Sequence, residues 1–215
     1  MNTPAKINPT ANEEIIRPTL HHFGLTTANL QGMKNWYAKV LGMTPTHETA
    51  APDGASALPP MQASWVTNDT ANHRIAIMAL PGLTTDADRS KHQRLQHVAF
   101  ELPTIDALLQ TYTRLKAEGI EPVITADHGA TTSFYYEDPD RNSVELTVDN
   151  FGDWAKSSEF MRTSPKFAAN PMGAYVAPDK MIAARATGTS VEELHRRACA
   201  GEFQPAKPQD PRVLM

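Results

Sequence analysis

The sequence has a single cysteine in 215 residues, Cys199. That excludes an internal disulfide framework and cysteine-rich zinc sites. It also lacks a basic excess. Twenty Lys and Arg against 24 Asp and Glu leave a net charge of −4, so no broad phosphate-neutralising surface is available for nucleic acid. No apolar run approaches the ~18–20 residues needed to span a bilayer, and residues 1–18 are polar, without the apolar centre of a secretory signal. No Gly-rich phosphate loop, serine nucleophile elbow or cysteine pair is present. The expectation is a cytoplasmic protein that uses neither nucleic acid nor membrane. Proline, by contrast, is abundant: 17 residues against about eleven at an average usage of ~5%. Many lie near the ends, which predicts an extended N-terminal arm over 1–17 around a compact centre. With 40% hydrophobic and 20% charged residues, the chain can build a core, and its length suits one domain.

Residues 18–150 repeat themselves. Leu20-His21-His22-Phe23-Gly24-Leu25 and Leu95-Gln96-His97-Val98-Ala99-Phe100 both read as strands, and His22 aligns with His97 at an offset of 75. A helical stripe follows each: Leu30, Met33, Trp36, Tyr37, Val40 and Leu41 before Gly42, then Ile105, Leu108, Leu109, Tyr112 and Leu115 before Gly119. Three strand candidates follow each helix, at 43–49, 61–67 and 73–80, and at 121–127, 132–137 and 143–149. The predicted fold is α+β: two tandem βαβββ modules, about 18–81 and about 93–150, whose mixed sheets enclose a cleft. Beyond 150 the pattern changes. Helices are expected over 153–163, 177–187 and 190–200, and an extended Pro-rich end over 204–215. This tail, 151–215, reads as a cover or interface element.

Strand parity then selects side chains. Phe23 and Leu25 share one face and Val98 and Phe100 its counterpart, which leaves His22 and His97 toward the cleft. Asp138-Pro139-Asp140-Arg141-Asn142 is turn chemistry. A hairpin centred on Asp140 sets Tyr135 opposite Glu145, with Phe134 and Tyr136 meeting Leu146 and Val144 on the helix side. Two imidazoles and one carboxylate around a cleft suit a facial triad that leaves positions open, the arrangement of non-haem Fe(II). Aligning Asn72 with Asn142 sets Ile75 where the second half has Glu145, so no fourth protein ligand is expected. His21 should face away from His22 and is left out of the site.

These residues resemble the vicinal oxygen chelate superfamily, which includes glyoxalase I and bleomycin-resistance proteins. Within it they are similar to the catalytic module pair of type I extradiol catechol dioxygenases. The motifs are His22 on the first strand, His97 in His-Val-Ala-Phe, and Tyr-Tyr-Glu-Asp-Pro-Asp-Arg-Asn-Ser-Val-Glu. The resemblance implies His22, His97 and Glu145 as metal ligands, and His73, Tyr135 and His128 as catalytic residues. It implies Fe(II), with Mn(II) compatible with the same ligands, and O2 and a small aromatic diol as reactants. The chain departs from the family in two ways. The non-catalytic module pair of larger relatives is missing, and Arg141 stands where the turn usually has glycine. If that position needs a positive φ, arginine costs on the order of 1 kcal/mol.

The implied reaction inserts both atoms of O2 beside the diol and opens the ring. His73 would stabilise bound oxygen or act as acid and base, Tyr135 would hydrogen-bond a substrate oxygen, and His128 would hold the second hydroxyl. Two other functions fit the same scaffold: a glyoxalase-like metal-dependent lyase or isomerase, which usually wants a fourth protein ligand, and a metal-free small-molecule binding protein. Self-association into a homo-oligomer is compatible with compact modules and long tails.

Overall fold

A computed structural model describes residues 17–49 and 62–214. The predicted arm at 1–17 and the loop at 50–62 therefore lie almost wholly outside the described residues. The first module runs β1 (Phe23–Thr27), α1 (Leu30–Leu41), β2 (Thr44–Glu48), β3 (Gln62–Thr67) and β4 (Ile75–Ala79). The second runs β5 (Val98–Glu101), α2 (Ile105–Ala117), β6 (Ile124–Asp127), β7 (Thr131–Glu137) and β8 (Ser143–Asp149). The strand orders are β1-β4-β3-β2 and β5-β8-β7-β6 extended by a further strand. In both modules the first strand pairs in parallel with the last and the remaining pairs are antiparallel. The fold is thus the α+β pair of βαβββ modules.

Each helix is delimited by its own residues. The Asn29 side chain accepts from Gly32 N at 2.9 Å and that of Thr104 from Ala107 N at 3.1 Å, which satisfies amides the first turn leaves open. At the other end Gly42 has φ 67° and Gly119 φ 76°, the left-handed conformation that stops a helix with least strain in glycine. Met33, Trp36, Tyr37 and Val40 of α1 and Ile105, Leu108, Leu109, Tyr112 and Leu115 of α2 are buried in one core shared by both modules. A buried hydrogen bond from Tyr37 Oη to Asp138 Oδ2, 3.1 Å, ties α1 to the β7–β8 turn of the other module.

After residue 150 come α3 (Trp154–Thr163), α4 (Pro165–Ala169), β9 (Ala174–Tyr175), α5 (Pro178–Ala186) and α6 (Val191–Cys199). The three expected helices are α3, α5 and α6. Two features were not expected. β9 joins the second sheet as its edge, antiparallel to β6, and a strand of two residues is too short to leave a period-2 pattern. The end is not extended throughout, since Pro211–Leu214 forms a 3-10 turn. Proline presets its first φ, and the Asp210 carboxylate accepts from Arg212 N at 3.0 Å. The tail packs into the core. Val176, Met181, Ala184, Leu194, Ala198 and Phe203 are buried in the common core, and Arg185 on α5 forms a two-pronged ion pair with Asp106 on α2. No described helix is long and apolar enough to cross a membrane.

Candidate metal and substrate site

The β7–β8 hairpin has the expected register: Tyr135 faces Glu145, Phe134 faces Leu146 and Tyr136 faces Val144. Phe134, Tyr136, Val144 and Leu146 are all core residues. Glu145 and Tyr135 therefore project from the opposite face, and β5 sets Ala99 beside Glu145. The small side chain of Ala99 leaves that face open. The turn is held by Asp138, whose Oδ1 accepts from Asp140 N and Asn142 N at 2.9 and 2.8 Å. Arg141 has φ 66°, the one positive value outside glycine among the described residues.

Glu145 is 7% exposed, and a carboxylate so far from water needs partners. His97 Nε2 lies 2.9 Å from Glu145 Oε2. Burial raises the Glu145 carboxyl pKa, but hydrogen bonds from His97 and Ser133 outweigh it and hold the group below its ordinary value. His97 Nδ1 meets Gln96 Oε1, which fixes the ring orientation from its other side. Tyr135 packs edge-on against both His97 and His128. Burial first, and the Glu145 charge second, raise its phenol pKa, so it stays a hydroxyl donor.

His128 connects this group to the tail. Its Nδ1 is 2.9 Å from the carbonyl oxygen of Met172, which can only accept, so Nδ1 carries the hydrogen. In the neutral ring Nε2 then accepts, and the Tyr135 hydroxyl donates to it at 3.0 Å. Sequence reasoning had no means of finding Met172, because its contribution is a backbone carbonyl set in place by the β9 edge.

The remaining two predicted residues stand in a second group. The His22 and His73 ring centroids are 4.2 Å apart, and His21 joins them, its Nδ1 2.8 Å from His22 Nδ1. Burial and then the charges of His22 and His21 lower the His73 pKa. Contrary to expectation, His21 does not face away from His22. Residues 21 and 22 precede the first paired residue of β1, Phe23, so strand parity does not govern them. Phe23 N donates to Arg74 O at 3.2 Å and Arg74 Nη1 to His21 O at 3.0 Å, which brings segment 21–23 against 73–74. His21 and His22 line a cavity of about 560 Å³ that also touches Phe23, Val98, Phe100 and Leu146, on the helix side of the sheets. Neither His97 nor Glu145 lines it. Among the described residues, the tight three-membered donor groups do not unite His22 with His97 and Glu145.

The ladder also corrects one equivalence. Gly24 pairs with Ala76 and Ala99 with Glu145, so the module 1 counterpart of Glu145 is Ala76. Ile75 pairs with Phe23, is buried in the core and corresponds to Val144. The expected alignment was one residue out of register because the turns before β4 and β8 differ. An apolar residue still occupies the position.

Comparison with known proteins agrees with this architecture. The chain is 34% identical over 185 residues to biphenyl-2,3-diol 1,2-dioxygenase 3 of Rhodococcus globerulus, covering 86% of this chain and 91% of that one. It is 31% identical over 191 residues to biphenyl-2,3-diol 1,2-dioxygenase 2 of the same organism, covering 89% and 94%. Those relatives therefore also have length for a single module pair. Residues 19–146 match a family profile, and with the paired modules this places the chain in the Glyoxalase/Bleomycin resistance protein/Dioxygenase superfamily.

Proposed function

We propose that this protein is an Fe(II)-dependent extradiol dioxygenase that cleaves the ring of an aromatic diol with incorporation of both atoms of O2. The observation that carries the reading is the pairing of His97 with the buried Glu145 beside the hydrogen-bonded Tyr135 and His128. An ionised, nearly dry carboxylate touching an imidazole is a donor set that a hard to borderline divalent cation fits, iron or manganese. His97 and Glu145 would hold the metal. The family resemblance implies His22 as third ligand, and since His22 stands here with His21 and His73, it would have to turn toward His97 and Glu145 to complete the set. A bound iron would supply a common site for the diol oxygens and O2 and a path for electrons between them.

The other groups prepare the substrate. With Nδ1 held by Met172 O and Nε2 against the Tyr135 hydroxyl, His128 presents Nε2 as the ring's acceptor position, suited to take a proton from a diol hydroxyl. Tyr135, kept protonated, can transfer its hydrogen bond from His128 to a substrate oxygen. His73, with its depressed basicity, is suited to an acid or acceptor role beside His22. Ala99 and Gly24 keep the centre of the sheets free of bulk. A lyase of the same fold would want another protein donor, and Ala76 offers none.

The test is anaerobic purification, metal analysis and oxygen-electrode assay of the Fe(II)-loaded protein with biphenyl-2,3-diol and catechol. Stoichiometric iron and O2 uptake coupled to a yellow ring-opened product are expected. His97→Ala and His22→Ala should each lose iron and activity. Iron retained by His22→Ala would remove His22 from the ligand set. Failure of the wild-type protein to bind iron or manganese under any loading condition would end the dioxygenase reading.

A further inference from the structure

A second group of metal-ligating side chains lies where β6 meets α6. Asp127 ends β6, and His195 and Cys199 stand four residues apart on α6, hence on one helix face. His195 Nδ1 is 2.7 Å from Asp127 Oδ2, and Cys199 Sγ is 3.8 Å from Asp127 Oδ1 and 3.8 Å from each His195 ring nitrogen. The three donor atoms lie within 4.8 Å of one another.

The carboxylate is set up from behind. Its side chain is 0% exposed. Oδ1 accepts from Gly129 N at 2.8 Å and Asn150 Nδ2 at 3.2 Å, and Oδ2 from Thr132 Oγ1 at 3.3 Å. Such outer hydrogen bonds orient a ligand toward a cation. On the other side Cys199 is exposed and the His195 side chain is 28% exposed, which gives an ion and a water molecule a way in.

We infer that Asp127, His195 and Cys199 form a binding site for a thiophilic divalent cation of the zinc class, separate from the proposed catalytic centre. Thiolate, imidazole and carboxylate are the donors zinc takes in tetrahedral sites, and three protein ligands leave one position for water. With Zn–S near 2.3 Å and Zn–N near 2.0 Å, tetrahedral donors sit roughly 3.3–3.5 Å apart. The sulfur contacts are already close to that, and the Asp127–His195 contact has to open by about half an ångström. Two anionic ligands neutralise a divalent cation, so the filled site buries no net charge. On binding, two protons leave to solvent, that of the Cys199 thiol and the one His195 Nδ1 directs at Asp127 Oδ2, and His195 then binds through the freed Nδ1 lone pair. A cysteine nucleophile activated by His195 fits less well. Sγ is equally far from both ring nitrogens, so neither directs a short hydrogen bond at the sulfur.

The lone cysteine makes the test unambiguous, because any thiolate-to-metal absorption must come from Cys199. Chelator-treated full-length protein is titrated with Co2+ alone and followed by near-ultraviolet absorbance. We expect a charge-transfer band that saturates near one equivalent, is fully lost in Cys199→Ser and His195→Ala, and persists in His97→Ala. Circular dichroism of Cys199→Ser, a substitution at an exposed position, confirms that loss of the band is not loss of the fold. Absence of the band in the wild-type protein with excess Co2+, or its survival in His195→Ala, overturns the site and leaves Asp127–His195 as an ion pair pinning α6 to β6. His97→Ala separates this outcome from failure of the dioxygenase reading, which concerns other ligands.

Discussion

Arg141 holds φ 66° in the turn that aims Glu145, and a side chain there costs about 1–2 kcal/mol relative to glycine. Its compensation is small. The guanidinium reaches Glu137 at 3.5 Å in an exposed ion pair, which contributes a few tenths of a kcal/mol at most. Arg141→Ala removes the ion pair and keeps the strain, whereas Arg141→Gly removes both. Chemical denaturation should show Arg141→Gly more stable than Arg141→Ala by about 1 kcal/mol. Equal stabilities would mean that the turn does not store strain at this residue. Tyr135 supports a prediction about chemistry at the same scale. Tyr135→Phe deletes the hydroxyl that bonds His128 and leaves the ring packing on His97. On the proposed function, turnover of biphenyl-2,3-diol by the iron-loaded protein should fall roughly 10²-fold with iron content unchanged. A fall under about threefold would show that Tyr135 is only a packing residue.

At the scale of elements, β9 is two residues long but determines where Met172 O meets His128. Gly173 makes this possible. Its φ is +68°, and an added Cβ would lie 1.9 Å from Asp127 O, a backbone atom that cannot give way. Gly173→Ala should therefore destabilise the protein by at least ~2 kcal/mol. It should also speed amide exchange at Val176, whose N–H donates to Thr125 O at 3.0 Å, and lower turnover through the freed His128. Wild-type exchange at Val176 in this variant would show that β9 tolerates the side chain. The contrast explains what could be read from the sequence. The Tyr135–Glu145 register was legible because a period-2 pattern runs along both strands into a turn of Asp, Pro and Asn. The placements of His21, His22 and His73 were not, since these residues lie outside the paired strands, where parity has no force. The Ile75 and Ala76 equivalence failed by one residue, because a turn of unequal length shifts register without changing composition. Contacts made by backbone carbonyls, such as that of Met172, leave no signal in side-chain chemistry.

For the whole molecule, the question is whether the paired modules stand alone or need the segment after Asn150. The sequence reads that segment as a cover or interface element, and its apolar residues pack into the core: Val176, Met181, Leu194 and Phe203 are each at most 3% exposed and belong to the same cluster as α1 and α2. Burying such a side chain contributes about 1.5–3 kcal/mol, so these four together rival the ~5–15 kcal/mol by which a domain is stable at all. Polar ties reinforce them, with Arg185 gripping Asp106 and Ala177 N donating to Phe203 O at 2.6 Å. A chain ending at Asn150 would expose one flank of α2 and the open edge of β6, a ready template for aggregation. It should express as aggregate, or as a species with helical circular dichroism and no cooperative thermal transition. A soluble 1–150 fragment that melts cooperatively and, on the proposed function, takes up iron as fully as the 215-residue chain would show that the tail is accessory. It would also show that His128 keeps its orientation without Met172, and would shift the burden of holding the site onto the hairpin alone.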